Sequence, residues 1–232
     1  MRWRRVAAAA VVGAAVLAPA WGPPVLRPFA FFRVRRIELV GVRQLAPGTV
    51  VGALGLRRAA SVWDRLGPVA ARVRALPGVA EVDVTRRLPG TVRVTVREVE
   101  PVALASGPSG IVAVGPDARP LPYDPAAAAV DVPVVRGAEP SVVAALVAVR
   151  GADPTFYSEV VSARGGPAGS VELDLEGGGQ VRLALPVDAV VVQSVAAVER
   201  DLASRAQAWR ELDGRFAGWV VVRGASRAEA KS

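Results

Sequence analysis

Histidine and cysteine are both absent from the 232 residues, and Lys231 is the only lysine. These absences exclude the common zinc sites, disulfide bonds, haem ligation, and catalysis by a cysteine or histidine nucleophile. The serines have no histidine beside them to act as a base, and Lys231 lies near the end of the chain. We therefore predict no catalytic residue, no cofactor, no metal site and no small-molecule substrate, and expect that the protein is not an enzyme.

Aromatic residues are sparse, at 5%, whereas 52% of the residues are hydrophobic and the mean hydropathy is +0.34. This composition is typical of a folded chain, and the length suits one large or two small domains. The 19 prolines and 23 glycines predict many turns.

The net charge of +8 comes from the first half of the chain. Residues 27–100 carry 14 arginines and 6 acidic residues, whereas residues 101–232 carry 12 basic and 15 acidic residues. The basic part directly follows an apolar segment, which favours anionic lipid head groups over nucleic acid as its partner. A solvated, arginine-rich surface of a protein from a GC-rich genome is the alternative.

The first 26 residues set the expected compartment. Residues 6–26 form an uncharged run that, at about 1.5 Å per residue, is long enough to cross a hydrocarbon core of roughly 30 Å. Its anchor residues include Val6, Val12, Val16 and Leu17. Three arginines precede it, namely Arg2, Arg4 and Arg5, and they favour a cytoplasmic tail at residues 1–5. The sequence Ala18-Pro19-Ala20 also fits a cleaved signal peptide, and both alternatives place the rest of the chain outside the cytoplasm.

A small α/β module is predicted over residues 33–101. Alternating residues predict a strand at 33–42, and helical spacing predicts helices at 47–54 and 61–76. Two further alternating runs, joined by Leu88-Pro89-Gly90, predict a hairpin. The expected result is a three-stranded sheet covered on one side by two helices.

This module resembles a POTRA domain. The resemblance lies in IELVG at residues 37–41, LPGV at 76–79 and RRLPGTV at 86–92. The exit VTVREVEPVA, at 94–103, is similar to that of the FtsQ/DivIB cell-division proteins.

A second module, β-rich and α/β, is predicted over residues 102–223, followed by a disordered tail at 224–232, and its order of strands, long helix and terminal strand resembles the second domain of the FtsQ proteins. It contains a helix at 140–150 and strands at 159–164, 170–175 and 180–185. A long helix is expected from Asp188 to about Leu212, and then one final strand. The predicted fold class is therefore α+β: a transmembrane helix, a βααββ POTRA domain and a β-rich domain with a C-terminal strand.

The resemblance implies a bitopic scaffold of the inner membrane at the division septum. Such a protein links early and late division proteins, binds FtsB-like and FtsL-like bitopic partners, and helps control septal peptidoglycan synthesis. We expect the final strand to pair with a strand of the partner through its free edge, although an ordinary covered core strand is the alternative. This predicted partner-binding strand consists of Trp219, Val220, Val221, Val222 and Arg223.

An alternative function is a POTRA-containing factor that docks polypeptides during outer-membrane protein assembly or secretion. Those proteins usually continue into a barrel of repeated amphipathic strands. Here the expected end of the fold is one helix and one strand, which favours the division scaffold.

Overall fold

The computed structural model describes Trp3 and residues 26–107, 110–124, 131–216 and 218–224. The chain divides into two compact units, Met1–Glu98 and Val99–Ser232. Among the described residues, no helix has the length and apolar character needed to cross a membrane. The predicted anchor residues Val6, Val12, Val16 and Leu17, and the orienting residues Arg2, Arg4 and Arg5, lie outside the described part.

The first unit has the βααββ order that its alternating and helical patterns predict. Its elements are β1 (Arg36–Val40), α1 (Pro47–Leu54), α2 (Gly67–Arg74), β2 (Val79–Arg87) and β3 (Thr91–Glu98), after a 3-10 turn at Ala30–Phe32. The sheet order is β1-β3-β2, with β1 parallel and β2 antiparallel to β3. Val92 and Val94 of β3 are fully buried, as are Leu54 and Val73 of the helices, so one small core joins the two layers.

Helix α2 is shorter than the predicted 61–76. Residues 61–64 form a turn instead, in which the Ser61 N–H donates to Asp64 Oδ2 at 2.9 Å. The Arg86 side chain of β2 donates to the carbonyl oxygens of Val62 and Asp64, at 2.7 and 3.0 Å. These bonds hold the turn against the hairpin, and the helix begins only at Gly67.

The second unit is the predicted β-rich part of the α+β fold. Its elements are β4 (Ala103–Gly107), β5 (Gly110–Val114), β6 (Val134–Val135), α3 (Pro140–Ala152), α4 (Pro154–Ser158), β7 (Val160–Gly166), β8 (Ser170–Leu175), β9 (Gln180–Ala184), α5 (Ala189–Ser204), β10 (Trp209–Phe216) and β11 (Trp219–Gly224). The strands form one eight-stranded sheet in the order β11-β10-β9-β8-β7-β6-β4-β5. Leu146 of α3 and Val195 of α5 join Leu173, Leu183 and Leu212 of the strands in one buried cluster.

The prediction of a helix from Asp188 to Leu212 is wrong over its last part. Helix α5 ends at Ser204, and Ala206 adopts a left-handed φ of +50°. The Gln207 N–H donates to the Leu202 carbonyl and the Ala206 N–H to the Ala203 carbonyl, both at 3.0 Å. This pair of bonds is the Schellman ending of a helix, and it turns the chain into β10.

Candidate partner-binding edge of the second unit

The predicted partner-binding residues lie on β11, the last strand of the eight-stranded sheet. β11 pairs antiparallel with β10, and Leu212 stands opposite Val222, Asp213 opposite Val221. Gly218, with a φ of +77°, lies in the turn between the two strands. On its other side β10 pairs in parallel with β9, which fixes the hairpin to the sheet.

The two edges of this sheet differ. On β5, Val114 forms a bridge with Pro120, and the Leu121 N–H donates to the Ala113 carbonyl at 2.8 Å, so the following loop covers part of that edge. On β11, none of the described residues pairs with the outer edge. Because a free edge presents unpaired N–H and C=O groups, β11 is the edge that can accept a further strand.

Large apolar side chains are exposed around this edge. Trp219 is 77% exposed and Phe216, at the end of β10, is 52% exposed. Val221 and Val222 are each about two-fifths exposed. Only Val220 of the predicted five packs against the core, and the other four are exposed among the described residues.

The sheet face opposite the apolar core carries a line of charges that ends on β11. Arg223 pairs with Glu211 of β10 at 3.3 Å, and Glu211 also pairs with Arg182 of β9 at 3.0 Å. Arg182 continues to Glu172 of β8 at 3.0 Å, which pairs with Arg164 of β7 at 2.8 Å. Alternating signs therefore connect five neighbouring strands and set the side chain of Arg223 within a fixed network.

Asp213 and Arg215 form a second, more buried pair on β10. The guanidinium of Arg215 donates to both carboxylate oxygens of Asp213, at 2.8 and 2.7 Å, and Asp213 has no exposed surface. The hydrogen bonds from Arg215 outweigh the effect of burial and hold the pKa of Asp213 below its usual value. The same bonds raise the pKa of Arg215.

These charged residues of β10 were not identified from the sequence. Glu211 fell within the segment expected to be helical, and Asp213 follows the expected helix end at about Leu212, where no strand was predicted. Phe216, which pairs with Trp219 at the free edge, was missed because it lies between the expected helix and the predicted final strand, where no element was predicted. Among the described residues, no group of three acidic side chains is placed to hold a metal ion.

Comparison with known families concerns the first unit. A family model described as "POTRA domain, FtsQ-type" matches residues 32–98, which contain β1 to β3 and both helices between them. The chain contains an FtsQ-type POTRA domain. This match confirms the predicted resemblance to the FtsQ/DivIB proteins. No curated protein matches the chain.

The FtsQ-type POTRA domain restricts the class of function. Domains of this type mediate contacts between proteins and are not enzymes, so the domain supports a division-related or protein-docking role. The matched residues end at Glu98, and β11 lies in the other unit.

Proposed function

We propose that the protein is a bitopic inner-membrane scaffold of the bacterial division machinery. In this proposal, residues 6–26 cross the membrane once and both folded units lie outside the cytoplasm at the division septum. The scaffold links early and late division proteins and helps control septal peptidoglycan synthesis through protein–protein contacts. The observation that carries the proposal is the FtsQ-type POTRA domain at residues 32–98.

The partner strand is proposed to add to β11. Its backbone would continue the sheet beyond the last strand, and its apolar side chains would cover Trp219 and Phe216. Addition of a strand combines main-chain hydrogen bonds, which supply affinity, with side-chain contacts, which supply specificity. The partners we propose are FtsB-like and FtsL-like bitopic proteins, which the family resemblance implies.

Two truncations test the edge. A chain that ends at residue 217 lacks β11, whereas a matched control that ends at residue 224 keeps it. We expect the control to retain an FtsB-like protein in co-purification from the native host and the shorter chain to lose it. Equal capture by two folded truncations would contradict the proposal.

A matched pair of point variants tests the same edge without removing a strand. Val221→Lys introduces a charge on β11, and Val161→Lys introduces the same charge on β7, where Val161 is 53% exposed within the sheet. We expect only Val221→Lys to weaken co-purification, because charged side chains on an edge strand disfavour further pairing.

Depletion in the native host distinguishes this role from polypeptide docking for outer-membrane assembly or secretion. A division scaffold predicts filaments and a tagged copy at mid-cell. The docking alternative predicts normal cell length and reduced amounts of outer-membrane or secreted proteins.

A further inference from the structure

A cavity of about 530 Å³ lies beside the helical layer of the POTRA domain. Its apolar wall includes Leu56 and Val69, and three arginines line it: Arg57, Arg65 and Arg72. Asp64 is the only acidic residue among its lining residues. That carboxylate is already occupied, because it accepts from the Ser61 N–H at 2.9 Å and pairs with Arg27 at 3.3 Å.

The three arginines divide into one fixed and two available groups. Arg72 donates from Nε to the Ala53 carbonyl at 3.2 Å and also bonds the Leu54 carbonyl, so its guanidinium is held at the cavity wall. Gly55 leaves room for this guanidinium, because a Cβ at position 55 would lie only 3.1 Å from Arg72 Nε. The guanidinium groups of Arg57 and Arg65 form no hydrogen bond or ion pair with any described residue, although the Arg57 carbonyl accepts from the Ala60 N–H at 2.9 Å. Their positive charge is therefore uncompensated within the described part of the domain.

Guanidinium groups recognise phosphate well, since their planar N–H donors match its oxygens in pairs. An apolar wall beside such donors suits a phosphate ester that carries a hydrocarbon part. A fully hydrated ion gains nothing from that wall.

The cavity also lies near the point where the chain enters the domain. Arg27, which bonds Asp64 at the cavity wall, follows directly after the predicted membrane segment at residues 6–26. Phe29 and Phe31, two and four residues further on, are 55% and 61% exposed. Exposed phenylalanines beside a membrane segment can enter the boundary between lipid head groups and acyl chains.

We propose that this cavity binds the phosphate group of an anionic phospholipid, with Arg57 and Arg65 as the principal ligands and Arg72 as a fixed third donor. The proposal rests on the membrane anchor of the proposed function. It adds a defined lipid site that holds the POTRA domain at the membrane surface.

The test uses the full chain in lipid nanodiscs and hydrogen exchange of residues 55–72. Discs of phosphatidylcholine are compared with discs that also contain phosphatidylglycerol. We expect exchange of this segment to be about fivefold slower in the anionic discs, the effect of roughly one well-placed arginine. The variant Arg57→Gln/Arg65→Gln should remove this difference.

Arg74→Gln/Arg87→Gln is the matched control. It removes the same charge from two exposed arginines of the same domain that do not line the cavity. The control should keep the slower exchange. If both double variants lose it equally, overall charge is responsible and the cavity site is overturned.

Two further outcomes decide the source of the phosphate and the dependence on the anchor. If inorganic phosphate in phosphatidylcholine discs slows exchange as much as phosphatidylglycerol, the ligand is soluble and the lipid assignment is wrong. If the protein does not stay in the discs, the proposed membrane anchor at residues 6–26 is wrong. Mixing the same protein with phosphatidylglycerol vesicles then tests the cavity by itself, and exchange that is insensitive to Arg57→Gln/Arg65→Gln overturns it.

Discussion

Asp213 shows how one residue can be buried on the charged face of a sheet. It has no exposed surface, yet Arg215, two residues further along β10, donates to both of its carboxylate oxygens. The Arg215 N–H donates to the same carboxylate at 3.1 Å. With these three bonds satisfied, the negative charge is stable where an unpaired carboxylate would not be.

We predict that Asp213→Asn lowers the free energy of unfolding by about 1.5–3 kcal/mol at neutral pH, since it removes charge-assisted hydrogen bonds at a buried position. Because the pKa of Asp213 is lowered by folding, its contribution is fully present above its unfolded pKa of about 3.9 and is lost as the pH falls through the folded value. Urea unfolding at pH 7 and at decreasing pH measures both effects.

Asp131→Asn is the control for this prediction, because Asp131 is exposed in the same unit. It should change the free energy of unfolding by no more than about 0.5 kcal/mol. A difference between Asp213→Asn and the unchanged protein that stays constant down to pH 2 would show that the Asp213 charge is not the cause.

Trp219 is expected to matter for binding and not for folding. Since it is 77% exposed, Trp219→Ala should change the free energy of unfolding by no more than about 0.5 kcal/mol. As an exposed aromatic anchor at the start of the free edge strand, it should contribute about 2 kcal/mol or more to binding, so that its removal costs roughly a thirtyfold loss of affinity.

The opposite edge supplies a matched control for Trp219. Ile111 on β5 is 59% exposed, and Ile111→Ala should leave the affinity for an FtsB-like protein unchanged. Isothermal titration of the purified partner measures both variants, and a loss that is equal in the two would contradict a specific role of β11.

At the scale of elements, helix α5 shows that hydrophobic spacing predicts a helix but does not locate its end. Val195 and Leu202 fit helical spacing, and Leu212 extends that spacing beyond the real end of the helix at Ser204. Leu212 is equally suited to a strand, where it points into the core and its neighbours point away. Position 206 is alanine, and the sequence there does not indicate a left-handed residue as a glycine would. The spacing alone therefore could not locate the end of helix α5.

Ala206→Gly is predicted to stabilise the protein by about 0.5–1 kcal/mol. Glycine adopts the left-handed conformation of this position without the steric penalty of a Cβ, although it adds entropy to the unfolded chain. Ala197→Gly, at an exposed position within α5, should have the opposite sign and cost about 1 kcal/mol. Thermal and urea unfolding compare the two variants, and destabilisation by both would argue against the Schellman ending.

The candidate edge was predictable only in part. The apolar run from Trp219 to Val222 indicates a strand by itself, and the glycine at 218 indicates the turn before it. The neighbour of that strand was not predicted, because the first half of β10 continues the helical pattern as far as Leu212. The charge line from Arg223 to Arg164 depends on the spatial order of five strands, which no local pattern encodes.

At the scale of the whole molecule, the two units offer different kinds of surface. The POTRA domain has the arginine-lined cavity next to Arg27, where the chain enters the domain. The second unit has the apolar free edge at β11, near the other end of the chain. In the proposed scaffold, the first surface contacts lipid and the second contacts a protein partner, so variants of one should leave the other contact intact.

The orientation of the molecule can be tested because the chain has no cysteine, so any introduced cysteine is the only one. In the proposed scaffold, the three arginines at positions 2, 4 and 5 keep the N-terminus in the cytoplasm. We predict that Ser232→Cys reacts with a membrane-impermeant maleimide in cells whose outer membrane has been permeabilised. Trp3→Cys should react only after the inner membrane is lysed. Both substitutions leave these arginines in place.

A cleaved signal peptide gives a different result in the same experiment. Cleavage near Ala18-Pro19-Ala20 would separate position 3 from the mature chain, so lysis would label no full-length Trp3→Cys protein. The mature protein would also carry no membrane segment and would appear in the soluble periplasmic fraction. A retained anchor requires labelled full-length protein in the membrane fraction, because only an uncleaved chain keeps position 3 and the apolar run together.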